Sequence, residues 1–208
     1  GTTTSITVDI SGTNDAAVIS SATVSLTETN AVLTTSGNLT ISDVDSPATF
    51  QAQTVSGTYG SLTIDAIGAW TYKASSAHDE FVAGRTYSDI FTVKSADNTT
   101  STVTVNIAGT NDAPKITASE TQTQAKVAED GTLHAQGQLV GTDAESQTLT
   151  WTTQKYEGKF GSVSVDATGK WTYDLNNSKA QAIGASTVEE QFEVKATDTQ
   201  GGSAYRQI

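Results

Sequence analysis

The stretch "YGSLTIDAIGAWTYKA" covers residues 59–74, and "FGSVSVDATGKWTYDL" covers residues 160–175, each position 101 further on. Both read Leu/Val, x, Ile/Val, then Asp-Ala-x-Gly, then Trp-Thr-Tyr. Alternating apolar residues either side of a short Gly-containing turn are the mark of a β-hairpin. Leu62-Ile64 and Trp70-Tyr72 are the arms of the first hairpin, and Val163-Val165 and Trp171-Tyr173 of the second. Gly68 and Gly169 are expected to supply positive φ in the turns, and Trp70 and Trp171 to anchor two cores.

The repetition extends outward from these hairpins. "FTVKSAD" (residues 91–97) matches "FEVKATD" (192–198), and "LTISDVD" (39–45) matches "LVGTDAE" (139–145). The phrase "GTNDAAVIS" (12–20) returns as "GTNDAPKIT" (109–117), only 97 positions later, so a short insertion falls near residues 122–124. Residues 2–15, "TTTSITVDISGTND", match the run "NTTSTVTVNIAGTND" at 98–112. These matches define two tandem units over residues 14–110 and 111–208, preceded in 1–13 by what reads as the last strand and linker of an earlier copy. Ile6-Val8-Ile10, Val103-Val105-Ile107 and Phe192-Val194-Ala196 show strand alternation. Residues 76–83 and 177–183 are each expected to form a short helical turn. About seven strands per ~100 residues indicates an all-β chain of two tandem, antiparallel Greek-key β-sandwiches.

Composition agrees. The 208 residues include no Cys and no Met, and 23 acidic against 11 basic residues give a net charge of −12. A chain this acidic cannot neutralise a phosphate backbone, so nucleic acid is excluded as a partner. No apolar run approaches the ~18 residues of a membrane helix, so membrane insertion is not expected. Without Cys there is neither a disulfide nor a thiolate metal site. A chain that begins at Gly1 and lacks Met is expected to be a piece of a longer array. No catalytic motif of a hydrolase, metalloprotease or nucleotide-binding enzyme occurs, and the expectation is a non-enzymatic protein. His78 and His134 occupy unmatched positions; His78 is expected to be a solvated surface residue, and His134 an exposed or packing one.

The acids recur at loop positions. Asp43 and Asp45 follow a strand as D-x-D, and Asp143 and Glu145 repeat them as D-x-E. Asp97 and Asp198 end equivalent strands, Glu28 and Glu129 follow equivalent short runs, and Asn14-Asp15 and Asn111-Asp112 occupy the linkers. Asx-turn chemistry would account for one Asn-Asp pair. It does not account for carboxylates that recur in loops which a Greek key gathers at one end. Carboxylates about 5 Å apart repel by a few kcal/mol per pair at an effective dielectric near 20, and a divalent cation removes that repulsion. Calcium suits such a set, because it takes 6–8 oxygen ligands at irregular angles, whereas zinc prefers His or Cys.

The runs "SGNLTISDVDSPATF", "GTYGSLTIDAIGAWTYKA" and "STVTVNIAGTNDAP" resemble the VCBS repeat, a tandem module of giant bacterial surface proteins whose fold resembles cadherin domains. The resemblance spans nearly the whole chain. It implies a type 1 secreted, RTX-type adhesin of a Gram-negative bacterium, displayed outside the cell, in which calcium stiffens the joints of an extender segment serving adhesion or biofilm formation. By the cadherin analogy Asn111, Asp112, Asp143, Glu145 and Asp198, with Glu28 from the first unit, would hold calcium at the central joint. Asn14, Asp15, Asp43, Asp45 and Asp97 would form the matching half-site at the first joint. The linker is poorer in acids than in cadherins, Glu replaces Asp at 145, and the mid-domain D-R-E motif has no evident counterpart, which implies fewer or weaker ions. The implied partners are neighbouring repeats of the same, monomeric chain, with any glycan or cell-surface ligand contacted through other domains. The alternative is a carbohydrate- or protein-binding adhesive module, for which Tyr59 and Tyr87 are the candidate sugar platform.

Overall fold

The computed structural model describes residues 3–152 and 154–208; Gly1 and Thr2 of the expected leading strand lie outside the described residues. The chain divides into two compact units, Gly1–His78 with Gly84–Gly109, and Asp79–Ala83 with Thr110–Ile208.

The first unit contains β1 (Val18–Ile19), β2 (Ala22–Thr27), β3 (Thr34–Asn38), β4 (Ile41–Ser42), β5 (Gln53–Ser56), β6 (Gly60–Ile64), β7 (Ala69–Ala74), β8 (Thr86–Lys94) and β9 (Thr100–Ala108). One sheet runs β3-β7-β6-β5, a second runs β2-β9-β8, and β1 pairs with β4. The β6–β7 hairpin is as read from the sequence, with Gly68 at φ +87°, and a Cβ there would collide with the Leu39 carbonyl oxygen. Strand β7 alternates exposed and buried residues without a break, so Trp70, Tyr72 and Ala74 all enter the core. The same unit also buries Leu39, Phe50, Leu62, Ile64, Phe91, Val93, Val103, Val105 and Ile107, all at most 4% exposed. Each such large side chain contributes about 1.5–3 kcal/mol by leaving water.

The second unit contains β10 (Lys115–Ile116), α1 (Glu120–Thr123), β11 (His134–Gln138), β12 (Gly141–Thr142), β13 (Thr150–Trp151), β14 (Gln154–Glu157), β15 (Gly161–Val165), β16 (Lys170–Leu175), α2 (Asn177–Ala180), β17 (Glu193–Thr197) and β18 (Ser203–Gln207). Its sheets run β11-β16-β15-β14 and β13-β17-β18, with β10 on β12. Gly169 turns the β15–β16 hairpin at φ +83°. Trp151, Val163, Val165, Trp171, Val194 and Ala196 form its core with Ala118 and Leu139.

Three expectations give way. Residues 6–10 form no strand, and Ile6, Val8 and Ile10 are 89%, 74% and 91% exposed, because strand alternation specifies a face but not a neighbour to cover it. Residues 76–83 form turns and no helix, whereas α2 forms at the equivalent place in the second unit, capped by Asn176 Oδ1 on the Lys179 N–H. The sandwich is not wholly antiparallel: β2 lies parallel to β9.

Candidate metal centre in each unit

In the first unit, the loop after β4 folds because Asp43 Oδ1 accepts the N–H groups of Asp45 at 3.0 Å and Ser46 at 2.7 Å. That is the Asx-turn reading, and one carboxylate oxygen satisfies it. The other, Asp43 Oδ2, is buried with no hydrogen-bond partner. The linker folds onto this loop: Asp45 Oδ2 accepts the Asp15 N–H at 3.0 Å, and Ser46 Oγ donates to Asn14 Oδ1 at 2.7 Å. Asp97, just after β8, accepts the Ala17 N–H at 3.0 Å and the Asn14 amide at 3.4 Å. The short bond from the Ser95 hydroxyl and the Thr99 N–H hold the Asp97 carboxyl well below the usual carboxylate range. Asn14, Asp15, Asp43, Asp45 and Asp97 therefore share one end of the first sandwich.

The second unit repeats this arrangement with substitutions. The Asp112 N–H donates to Glu145 Oε1 at 2.7 Å, and the Asn111 amide donates to Asp198 Oδ2 at 2.9 Å. Gln147 joins the loops, giving its amide to Asn111 Oδ1 at 2.8 Å and accepting from Thr199, while its own N–H donates to Asp143 Oδ1 at 3.0 Å. Burial raises the Glu145 carboxyl above its ordinary value, and the adjacent Asp143 raises it further, against the lowering by the Asp112 N–H. Burial alone would also raise Asp198, but the Asn111 amide and the N–H groups of Gln200 and Gly202 outweigh it and hold that carboxyl low. Asp143 Oδ2 and Glu145 Oε2 are buried without hydrogen-bond partners. Anionic oxygens facing one another away from water are costly unless a cation joins them. The donor set is all oxygen, from carboxylates, amides and hydroxyls, and it fits a hard divalent cation of the calcium type.

Of the eleven residues singled out from the sequence, ten fall into these two clusters. Glu28 stands apart from the cluster of its own unit. It is 2% exposed, and its N–H donates to the Ala108 carbonyl at the end of β9, 2.8 Å away. One acidic residue escaped the sequence reading. Asp79, between β7 and β8, has a carboxylate oxygen within 4.8 Å of an Asp112 oxygen. Its signal was the "HDE" run at 78–80, which has no counterpart in the second repeat.

The histidines separate. His78 is 7% exposed, not solvated: its Nε2 lies 2.7 Å from the Tyr59 carbonyl oxygen and 3.2 Å from Ser75 Oγ. His134 is exposed and pairs across strands with Asp174 at 2.5 Å. Tyr59 and Tyr87 are half-buried edge-to-face partners, with centroids 5.7 Å apart, and so present no open aromatic platform.

The family described as "Bacterial cadherin-like domain" matches twice, over residues 14–109 and 111–208. No curated protein matches the chain. Among solved structures, the chain is similar to protocadherin gamma C5 EC1-3, at 11% identity and TM-score 0.47, over 90% of this chain and 64% of that one. It is also similar to Drosophila N-cadherin EC1-4, at 18% identity and TM-score 0.43, over 90% of this chain and 46% of that one. The chain thus spans less than two thirds of the length of either.

Proposed function

The chain belongs to the bacterial cadherin-like domain family, and from that premise we propose that it is a calcium-stiffened extender segment of a large secreted bacterial surface adhesin, of the VCBS-repeat, RTX-associated kind. The observation that carries this reading is the repetition of one oxygen-rich loop cluster in both units, each with buried carboxylate oxygens left without partners. In the first unit Asn14, Asp15, Asp43, Asp45 and Asp97 would hold the cation. In the second, Asn111, Asp112, Asp143, Glu145 and Asp198 would do so, joined by Asp79.

Calcium would supply two positive charges and a demand for 6–8 oxygen ligands. The rest is done by the chain. Asp43 and Asp143 each fix a loop through one carboxylate oxygen and offer the other. Asn111 and Gln147 tie the linker to the loop after β12, so the peptide that enters the second unit starts from a fixed direction. Glu28 follows directly on β2, and its N–H is bonded to the last carbonyl of β9. A cation held by both sides of a linker converts a hinge into a strut. Such a spacer would act outside the cell in adhesion or biofilm formation, without enzymatic activity, its partners being neighbouring repeats.

Titration with calcium tests this directly. Small-angle scattering and thermal melts of the chain should differ between saturating calcium and chelator, with a narrower distribution of dimensions and a higher melting temperature in calcium. Coincident curves would refute the reading. The alternative, a glycan- or protein-binding adhesive module, draws on one observation: Tyr205 is 58% exposed, with Lys195 Nζ 5.8 Å from its ring centroid. Reproducible micromolar binding on a glycan array would favour it.

A further inference from the structure

The two units close their last strand differently. In the first unit β9 is enclosed on both edges. It pairs antiparallel with β8 over nine positions and parallel with β2 over six, from Ala22 opposite Val103 to Thr27 opposite Ala108. In the second unit β18 pairs antiparallel with β17 over five positions and, among the described residues, with no other strand. The segment equivalent to β2 is diverted there. The insertion near residue 122 forms α1, whose Gln122 carbonyl accepts the Trp171 Nε1 hydrogen at 2.7 Å. Residues 124–128, which follow it and precede Glu129 as β2 precedes Glu28, form no strand.

The direction of β2 matters more than its area. Parallel neighbours have their starts side by side. Tension applied through the residues before β2 and after β9 therefore pulls the two strands past each other along their length. All the slanted hydrogen bonds of the ladder share that shear and must fail together. A segment without such pairing peels away one contact at a time. Forced unfolding follows the barrier to opening rather than the equilibrium stability, so this difference sets the order of rupture.

We infer that the β2–β9 ladder is a mechanical clamp present in the first unit and missing from the second, so that under tension the second unit yields first. Its significance rests on the reading of the chain as a spacer that carries tension; its measurement does not. Sister units in one chain would then be graded, a strong link next to a sacrificial one.

Single-molecule pulling on the whole chain tests this, with handles at its two ends. Two unfolding events at distinct forces are expected. Crosslinking the register pair through T23C/T104C closes residues 24–103 into a loop, and this should remove most of the length released by the stronger event while leaving the weaker one whole. A crosslink that shortens the weaker event, or two events of equal force, would overturn the inference. Backbone variants give a second test. The Glu28 N–H points at β9, so by alternation the Val24 N–H does too and the Ser25 N–H points away. Val24→Pro should lower the higher force towards the lower one, and Ser25→Pro should not; equal effects would contradict the clamp. Each measurement is made in calcium and in chelator. An order of rupture that persists while chelation leaves the joint unchanged refutes the calcium reading alone. Equal rupture forces beside a calcium-sensitive joint refute the clamp alone.

Discussion

The Tyr173 hydroxyl donates a 2.5 Å hydrogen bond to Glu190 Oε2 inside the second sandwich. The first sandwich has the equivalent pair, Tyr72 and Asp89, at 3.3 Å. In both, the same carboxylate also holds the tight turn that opens the hairpin: Asp89 Oδ1 accepts the Thr58 N–H at 2.6 Å, and Glu190 Oε1 accepts the Phe160 N–H at 2.9 Å. Burial, followed by the carboxylate beside it, pushes each phenol well above its ordinary value. An acid placed 101 residues from an acid thus does the same structural work twice, with one methylene more in the second copy.

Asp89 is 4% exposed, and its removal orphans the N–H groups of Thr58 and Tyr59 together with the Tyr72 hydroxyl. Asp89→Ala is expected to destabilise the first unit by about 1–3 kcal/mol, the usual cost of a stranded buried donor, here the Tyr72 hydroxyl. Denaturant unfolding should show the first unit's transition moving while the second stays in place. Asp89→Asn, which keeps an acceptor, should cost distinctly less.

Gly57 is required by the same carboxylate. A Cβ at this position would lie 2.6 Å from Asp89 Cγ, and one at Gly158 would lie 2.5 Å from Glu190 Oε1. Gly57→Ala should lower stability by about 1–3 kcal/mol, the usual range for forcing an extra carbon into a packed site. A melt indistinguishable from the parent would show that the turn shifts freely.

Asp143 and Glu145 offer a change of sign. Without a cation, Asp143→Asn removes a charge that disfavours ionised Glu145, so the variant should melt at or above the parent temperature in chelator. In calcium it loses a ligand and should melt below the parent. If the clusters bind calcium as extracellular modules do, near 0.1–1 mM, 10 mM calcium would stabilise the parent by about 1.4–2.7 kcal/mol through mass action. Paired melts in calcium and chelator read both signs, and a variant that melts lower in both would remove Asp143 from the cation site.

Part of the acid sensitivity should come from a hairpin turn. The Asp166 carboxyl is held below its ordinary 3.8 chiefly by the Thr168 hydroxyl and also by the N–H groups of Thr168 and Lys170. A depressed folded-state value means stability present above the unfolded value and lost as pH falls through the folded one. Melting temperatures in chelator between about pH 5 and pH 2 should therefore fall, and Asp166→Asn should flatten that limb. An unchanged slope would assign the acid loss to other carboxylates.

Much of this was legible in the sequence because it is local. The hairpins follow from alternation plus a glycine at positive φ, and Trp70 and Trp171 are buried because they stand on the inward phase of that alternation. The loop acids were legible because a Greek key returns the ends of alternate strands to one place. Where the reading failed, the missing quantity was a partner. Ile6-Val8-Ile10 and Val103-Val105-Ile107 carry nearly the same pattern, yet only the second is enclosed by neighbouring strands. The run around His78 is polar and gives no sign of burial, because the Tyr59 carbonyl beside the buried His78 ring lies nineteen residues away.

By itself, the sequence determined a repeated all-β unit, its hairpins, its inward faces and the loops in which its acids gather, since each of these depends on residues a few positions apart. Only the tertiary structure decided that β2 runs parallel to β9 while its counterpart forms no strand, that Asp89 and Glu190 turn inward to a tyrosine, and that Asp79 approaches Asp112. The reason is that strand alternation fixes which face of a strand is apolar, whereas the choice of which edge or buried carboxylate meets it depends on chain segments brought together from far apart.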